Sequence, residues 1–281
     1  MVVEEVGQDT LRAENIDAIV KGFALQKFTM KQLVMTPRST SWQESYYRET
    51  AVELSAISNI PRMARFPAGF HTWEKFSAYM KKAGLETEIS WEDALTNNID
   101  VIARSLLRVS RAVVKSVDDT IWNALTEDRT VVNIQTVATS AAWDNSTRAN
   151  RIPHEDIAEA ASKLTEQNYQ ADFIAMSPKD FLYVISNDYV MDSFDASGPD
   201  IMKNGKMGRL LGLDVVTSNS VTADYALVGQ KKICGTYRVA DPLKTFTEVV
   251  PGIKHVIRTW EIGTAFVTDP KALCLVTNTQ A

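Results

Sequence analysis

Few residues of this chain fall into spacings that do chemistry. Three histidines, His71, His154 and His255, stand far apart, and none shares a metal-ligand spacing with Cys, Asp or Glu. No GxGxxG, phosphate-loop or GxSxG pattern is present, and Gly205-Lys206-Met207-Gly208 lacks the buried strand that would precede a phosphate cradle. The adjacent carboxylates Asp118-Asp119, Glu127-Asp128 and Glu155-Asp156 point about 100° apart on a helix, so sequence alone does not make them dyads. Glu155 and Asp156 suit the positive end of their own helix. No catalytic, cofactor or metal residue is expected.

One constellation is more specific. Arg104, Arg108, Arg111 and Lys115 are spaced by four, three and four, which places them within roughly 60° of one another on a helix. Two readings stand. The line is a solvated face paired with Asp100 and Asp118, or a ridge facing a polyanion or a neighbouring subunit's carboxylates.

The element carrying that line is the clearest in the sequence. Ser90 and Asp93 form a capping box. Leu95, Ile99, Ile102, Leu106, Val109, Val113, Val117 and Ile121 then recur at threes and fours, and no Pro or Gly interrupts 91–127. The spacing predicts one helix of roughly 36 residues, on the order of 54 Å long, with its apolar stripe nearly opposite the basic one. An average globular helix has only about 11 residues.

Before it, 8–25 reads as an amphipathic helix and 27–35 as a strand. Thr36 to Phe70 has no steady period. It carries Pro37, Pro61 and Pro67, and mixes Trp42, Tyr46 and Tyr47 with Arg38, Arg48, Arg62 and Arg65. That composition predicts a long, exposed, two-stranded interaction arm.

After it come a strand and loop over 129–150, a helix from His154 to Gln167 and a short strand over Asp172 to Met176. A second helix is opened by Ser177 as cap, with Pro178 at its first position and Asp180 closing the box. Residues 187–209 read as a flexible loop with Lys203, Lys206 and Arg209. Strands follow over 213–217, 225–229 and 231–237, and the end from 244 to 277 is strand-rich. The fold class is α+β, without internal repeats.

The 281 residues suffice for two ordinary domains, or for one large domain with extensions. Apolar residues at 45% and charged residues at 23% are ordinary for a globular chain, which argues against collagenous, coiled-coil or wholly disordered classes. The net charge of −5, from 30 Lys+Arg and 35 Asp+Glu, does not suit a free-standing duplex-binding protein, though a local basic face is compatible with it. Cys234 and Cys274 sit in apolar surroundings and read as buried free thiols formed in a reducing cytoplasm. The N-terminus lacks the features of a signal peptide, and no apolar run approaches the ~20 residues of a spanning helix. A soluble protein without a membrane partner is expected.

The order of elements resembles the major capsid protein of tailed double-stranded DNA viruses, the Hong Kong 97-type fold. Several local stretches are similar to that family. They are Glu88-Ile89-Ser90-Trp91-Glu92-Asp93 before the long helix, Asp172 to Pro178 as a strand leading to a Ser-Pro helix, and Gly208-Arg209-Leu210-Leu211-Gly212-Leu213-Asp214-Val215-Val216 as a turn into a strand. Ala226-Leu227-Val228-Gly229 and the closing Thr268-Asp269-Pro270-Lys271-Ala272-Leu273 follow in the family's order.

The resemblance implies an N-terminal arm or helix with the first strand over 1–35 and an extended loop over 36–70. It implies a peripheral domain over 71–128 and 244–281, with the spine helix at 91–127, and an axial domain over 129–243. Arg38, Trp42, Tyr46, Tyr47, Arg48, Arg62 and Arg65 would make intersubunit contacts. Lys203, Lys206 and Arg209 would lie near a capsomer's centre, and Arg104, Arg108, Arg111 and Lys115 would face the genome or a seam.

The implied role is structural. Copies would form pentamers and hexamers of an icosahedral shell around double-stranded DNA, assembled in the host cytoplasm into a virion capsid. Portal and possible decoration or scaffolding proteins would be its partners. An encapsulin-like compartment shell and a soluble α+β enzyme are the rival readings. Some family members cross-link a loop lysine to a neighbour's asparagine with help from a glutamate. Thr36 to Phe70 contains no lysine, and an arginine guanidinium is no substitute nucleophile, so non-covalent contacts are expected.

Overall fold

The computed structural model describes residues 20, 28–49, 58–66, 68, 73–95, 99–126, 134–147, 150–187 and 208–281. Most of the expected 8–25 helix, several positions of the 36–70 arm, and Lys203 and Lys206 lie outside the described residues.

The capping box forms as expected: the Asp93 amide donates to Ser90 Oγ at 3.1 Å. Helix α1 covers Trp91–Leu95 and α2 covers Ile99–Thr126, and 96–98 between them lie outside the described residues. Leu106, Val109, Val113, Val117 and Ile121 are all buried, joined by Val114, Trp122 and Leu125. Burying an aliphatic side chain of this size contributes about 1.5–3 kcal/mol, so this face fixes the helix to the body.

That face packs on a three-stranded antiparallel sheet in the order β3-β10-β9. Its strands are β3 (Lys81–Ser90), β9 (Gly235–Val250) and β10 (Lys254–Val267). The hairpin between β9 and β10 turns at Pro251-Gly252-Ile253, where Gly252 takes φ 72°, a left-handed value that costs a glycine little. In the register, Arg258 lies between Glu86 of β3 and Phe246 of β9. The expected strand over 231–237 is a turn through Cys234, with β9 starting at Gly235.

A second, six-stranded mixed sheet runs β4-β11-β8-β5-β7-β6. Its strands are β4 (Gln135–Ala138), β5 (Phe173–Met176), β6 (Arg209–Leu210), β7 (Leu213–Thr217), β8 (Tyr225–Gly229) and β11 (Leu273–Thr277). Alternation along the strands divides it between two cores. Phe173, Ala175, Leu227, Leu273 and Leu275 join the core containing α2. Ile174, Met176, Ala226, Val228, Cys274 and Val276 join the core containing α3 (Pro153–Glu166) and Val184 of α4 (Pro178–Ile185). Ser177 caps α4, accepting from the Asp180 amide at 3.1 Å. Trp122 Nε1 donates to Thr222 Oγ1 at 2.9 Å and ties the end of α2 to the turn before β8.

Two domain boundaries differ from expectation. β11, assigned to the peripheral domain, sits inside the six-stranded sheet between β4 and β8. Residues 235–243, assigned to the axial domain, form the first half of β9 in the three-stranded sheet. Strand pairing reassigns both, because backbone hydrogen bonds bind each segment to partners more than 100 residues away or across a hairpin.

The 27–35 strand is also corrected. Met30–Gln32 is a 3-10 turn, followed by a strap that runs beside β9 with bridges Met35↔Thr236 and Arg38↔Val239. The Met35 amide donates to Gly235 O at 3.0 Å and the Ser39 amide to Val239 O at 2.9 Å. The strap thereby covers an edge whose N–H and C=O groups would otherwise be unpaired.

Candidate assembly surfaces

The arm begins as a docked hairpin. Strands β1 (Gln43–Glu49) and β2 (Trp73–Tyr79) pair antiparallel, Gln43 opposite Tyr79 through Glu49 opposite Trp73. One face lies on the body. Tyr46 stacks on Phe266 of β10 with ring centroids 4.1 Å apart, and on Phe76 at 5.8 Å. Arg48 is buried with its guanidinium 4.3 Å above the Phe76 ring, and it donates from Nη2 to the Tyr46 hydroxyl at 3.4 Å. Tyr46 and Arg48, expected to reach a neighbour, make these contacts within their own subunit. The period of two decides this: in a strand, every second side chain faces the body.

The remaining arm residues face outward. Trp42 is 63% and Tyr47 60% exposed, and Arg38, Arg62 and Arg65 are exposed. Sequence inspection missed Met63 and Phe66, which are more exposed still, at 105% and 83%. Their signal was available, as apolar residues alternating with arginines between two prolines. Large apolar side chains left this exposed are the chemistry of a contact surface.

On α2, Arg104, Arg108, Arg111 and Lys115 are all exposed, on the side away from the buried stripe. None makes an ion pair with a described residue. The expected pairing with Asp118 does not occur. Asp118 is buried, and its Oδ2 accepts from the Thr29 amide at 3.0 Å and the Thr29 hydroxyl at 2.8 Å. Burial raises the Asp118 pKa, while the Thr29 bonds pull it down in part.

The opposite face of the three-stranded sheet is a ladder of ion pairs. Lys254 pairs with Glu88, and Arg258 pairs with both Glu86 and Glu248, the latter at 2.9 Å. An open groove lies among Lys82, Gly84, Glu86, Phe246, Arg258 and Trp260. At the edge of the six-stranded sheet Arg209 donates to Asp214 Oδ1 at 2.8 Å, and Lys231 also pairs with Asp214. Both cations hold the Asp214 carboxyl below its ordinary range. Arg209 is thus an exposed brace of its own hairpin.

No group of three or more potential metal ligands occurs among the described residues. No described helix is long and apolar enough to cross a membrane. Burial pushes the Cys234 thiol up to about 12 and Cys274 to about 11, so neither supplies thiolate near neutrality.

A spine helix on a long three-stranded sheet, a second mixed sheet and an outward arm define a shell-forming capsid architecture. The sequence matches the phage capsid protein family over residues 74–276, and the chain belongs to that family. Its role is that of a structural subunit of a phage capsid shell. Among solved structures, the capsid of Cyanophage P-SCSP1u is similar at TM-score 0.66 and 14% identity, covering 88% of this chain and 86% of that one. A chain from Mycobacterium phage Che8 gives 0.62 and 17%, covering 91% and 93%. The virus-like particle from Pyrococcus furiosus gives 0.64 and 9%, covering 94% and 98%. Among curated proteins none matches this sequence.

Proposed function

We propose that the chain is the major capsid protein of a tailed virus, forming pentamers and hexamers of an icosahedral shell around double-stranded DNA. The observation that carries this reading is the family match over residues 74–276. Exposed Met63 and Phe66 agree with it, because another copy can supply cover for large apolar side chains left open on one subunit. Many weak arm contacts closing into one shell give stability by multivalency.

The basic stripe Arg104, Arg108, Arg111 and Lys115 faces the packaged genome in this reading. It binds phosphates without sequence preference. The described, exposed part of the arm, residues 58–66, lies over an adjacent subunit. The partners are further copies, a portal, and decoration or scaffolding proteins where the virus has them. Assembly takes place in the host cytoplasm.

Electron microscopy of the purified protein, with nucleic-acid quantification of the particles, tests the proposal. Closed shells that take up DNA are expected. Shells that hold protein cargo and no genome would favour the encapsulin-like reading, and a monomer with small-molecule turnover would favour the enzyme.

A further inference from the structure

The strap 28–39 is fastened by an unusual group of polar side chains. Phe28, Met30, Leu33 and Val34 are buried in the core that contains α2. Among these apolar contacts sit Thr29 and Lys31. Thr29 donates twice to Asp118 of α2. Lys31 Nζ lies 2.5 Å from Glu261 Oε1 of β10, between the Phe28 ring at 4.4 Å and the Tyr237 ring at 5.3 Å. Glu261 is fully buried. Tyr237 of β9 is buried beside it, and fits there because Gly263 has no Cβ: one would fall 2.5 Å from the Tyr237 ring.

The titratable groups around the strap are therefore Lys31, paired with Glu261 of β10 beside Tyr237 of β9, and Asp118 of α2, whose charge also bears on Tyr237. Lys31 serves Glu261, and buried Asp118 has no cation paired with it among the described residues. Charges in such a place are expensive unless balanced. The Lys31–Glu261 pair is balanced, which leaves Asp118 as the excess negative charge.

We propose that Asp118, with Thr29 and the Lys31–Glu261–Tyr237 group, is a pH-sensitive clasp that holds the strap to the body and loosens as pH rises. One proton on Asp118 makes the cluster neutral. That proton can sit on Oδ1, which has no hydrogen-bond partner among the described residues. Oδ2 remains an acceptor for both Thr29 groups. Removing the proton leaves an uncompensated buried charge near Tyr237, and loosening the strap that carries Thr29 readmits water to it.

The direction of the Asp118 shift agrees. Burial raises its folded pKa above the ordinary value of 3.8, against the pull of Thr29 and of the Met30 and Lys31 amides. A group with a raised folded pKa contributes stability that is complete below its unfolded value and lost as pH rises through its folded value. The strap continues directly into β1, so the clasp sets how firmly the base of the arm is held.

Hydrogen exchange of the full-length protein between pH 4 and 9, corrected for intrinsic rates, reads the strap opening constant at residues 28–39. The expected result is a rise of up to about tenfold per pH unit from about pH 4, levelling at the folded pKa of Asp118. Asp118→Asn should remove this slope and keep the strap as protected as the wild type is at low pH. Glu261→Gln should retain the slope but raise the opening constant throughout, since Lys31 loses its partner. A flat wild-type profile overturns the proposal without any variant, and so does an Asp118→Asn protein that keeps the wild-type slope.

Discussion

Tyr46 lies almost parallel to Phe266, with an interplanar angle of 10° and centroids 4.1 Å apart, and this stack moors the arm hairpin to β10. An aromatic pair of this kind contributes about 0.5–1.5 kcal/mol beyond its buried area. Tyr46→Leu should lower stability by that order while making β1 more sensitive to protease. Phe266→Ala should cost about 3–5 kcal/mol, because it also leaves a cavity. Thermal melts and limited proteolysis of the two variants check the ranking; equal, negligible effects would show that the stack does not hold the hairpin.

The exposed tip of the arm makes a separate prediction. Excising 58–68 and joining the ends with a short Gly/Ser linker should leave a folded subunit with unchanged circular dichroism, because most of these residues are exposed. Closed particles should disappear from electron micrographs. Normal shells from this variant would remove the arm from the assembly interface.

The basic stripe predicts salt-dependent genome retention. Arg108→Glu with Arg111→Glu should leave the melting temperature nearly unchanged, since both side chains are exposed and neither is ion-paired to a described residue. Particles should lose DNA at lower salt than wild type, because fewer phosphates are neutralised. Identical retention across a salt series would make the stripe an ordinary solvated face.

The shell should be held without covalent links. Lysine is absent from Thr36 to Phe70. At the base of the arm, Lys31 is engaged with Glu261 in its own subunit. Boiled particles on a denaturing gel should give a single band at the monomer mass. A ladder of multimers that survives reductant would contradict this.

Asp156 of α3 gives a second pH prediction. It is buried, and its Oδ2 accepts from Trp143 Nε1 at 2.9 Å. Burial raises its folded pKa, with Glu159 adding to the rise and Trp143 and Ser140 opposing it. Its contribution is therefore greatest below its unfolded value and declines as pH rises through the folded one. Asp156→Ala should cost about 1–3 kcal/mol by leaving the Trp143 N–H without a partner. Denaturant titrations followed by tryptophan fluorescence at several pH values check both the sign and the size.

Much of this molecule is readable from its residues in order. The Ser90–Asp93 and Ser177–Asp180 caps, the buried face of α2 and the exposure of Arg104, Arg108, Arg111 and Lys115 depend on neighbours within one or two helical turns. Family resemblance was legible for a related reason: short turn and cap stretches recur in a fixed order. Tertiary structure alone decided the rest. Asp118 reads locally as a partner for the stripe, yet it turns inward to Thr29, 89 residues away. Arg48 reads as an exposed arm charge, yet strand alternation and the hairpin's docking place it over Phe76. Lys31 meets Glu261 across 230 residues, and β11 enters the six-stranded sheet beside β4 and β8. Such pairings depend on which distant surfaces exclude water together, and the spacing of residues along one segment carries no record of that.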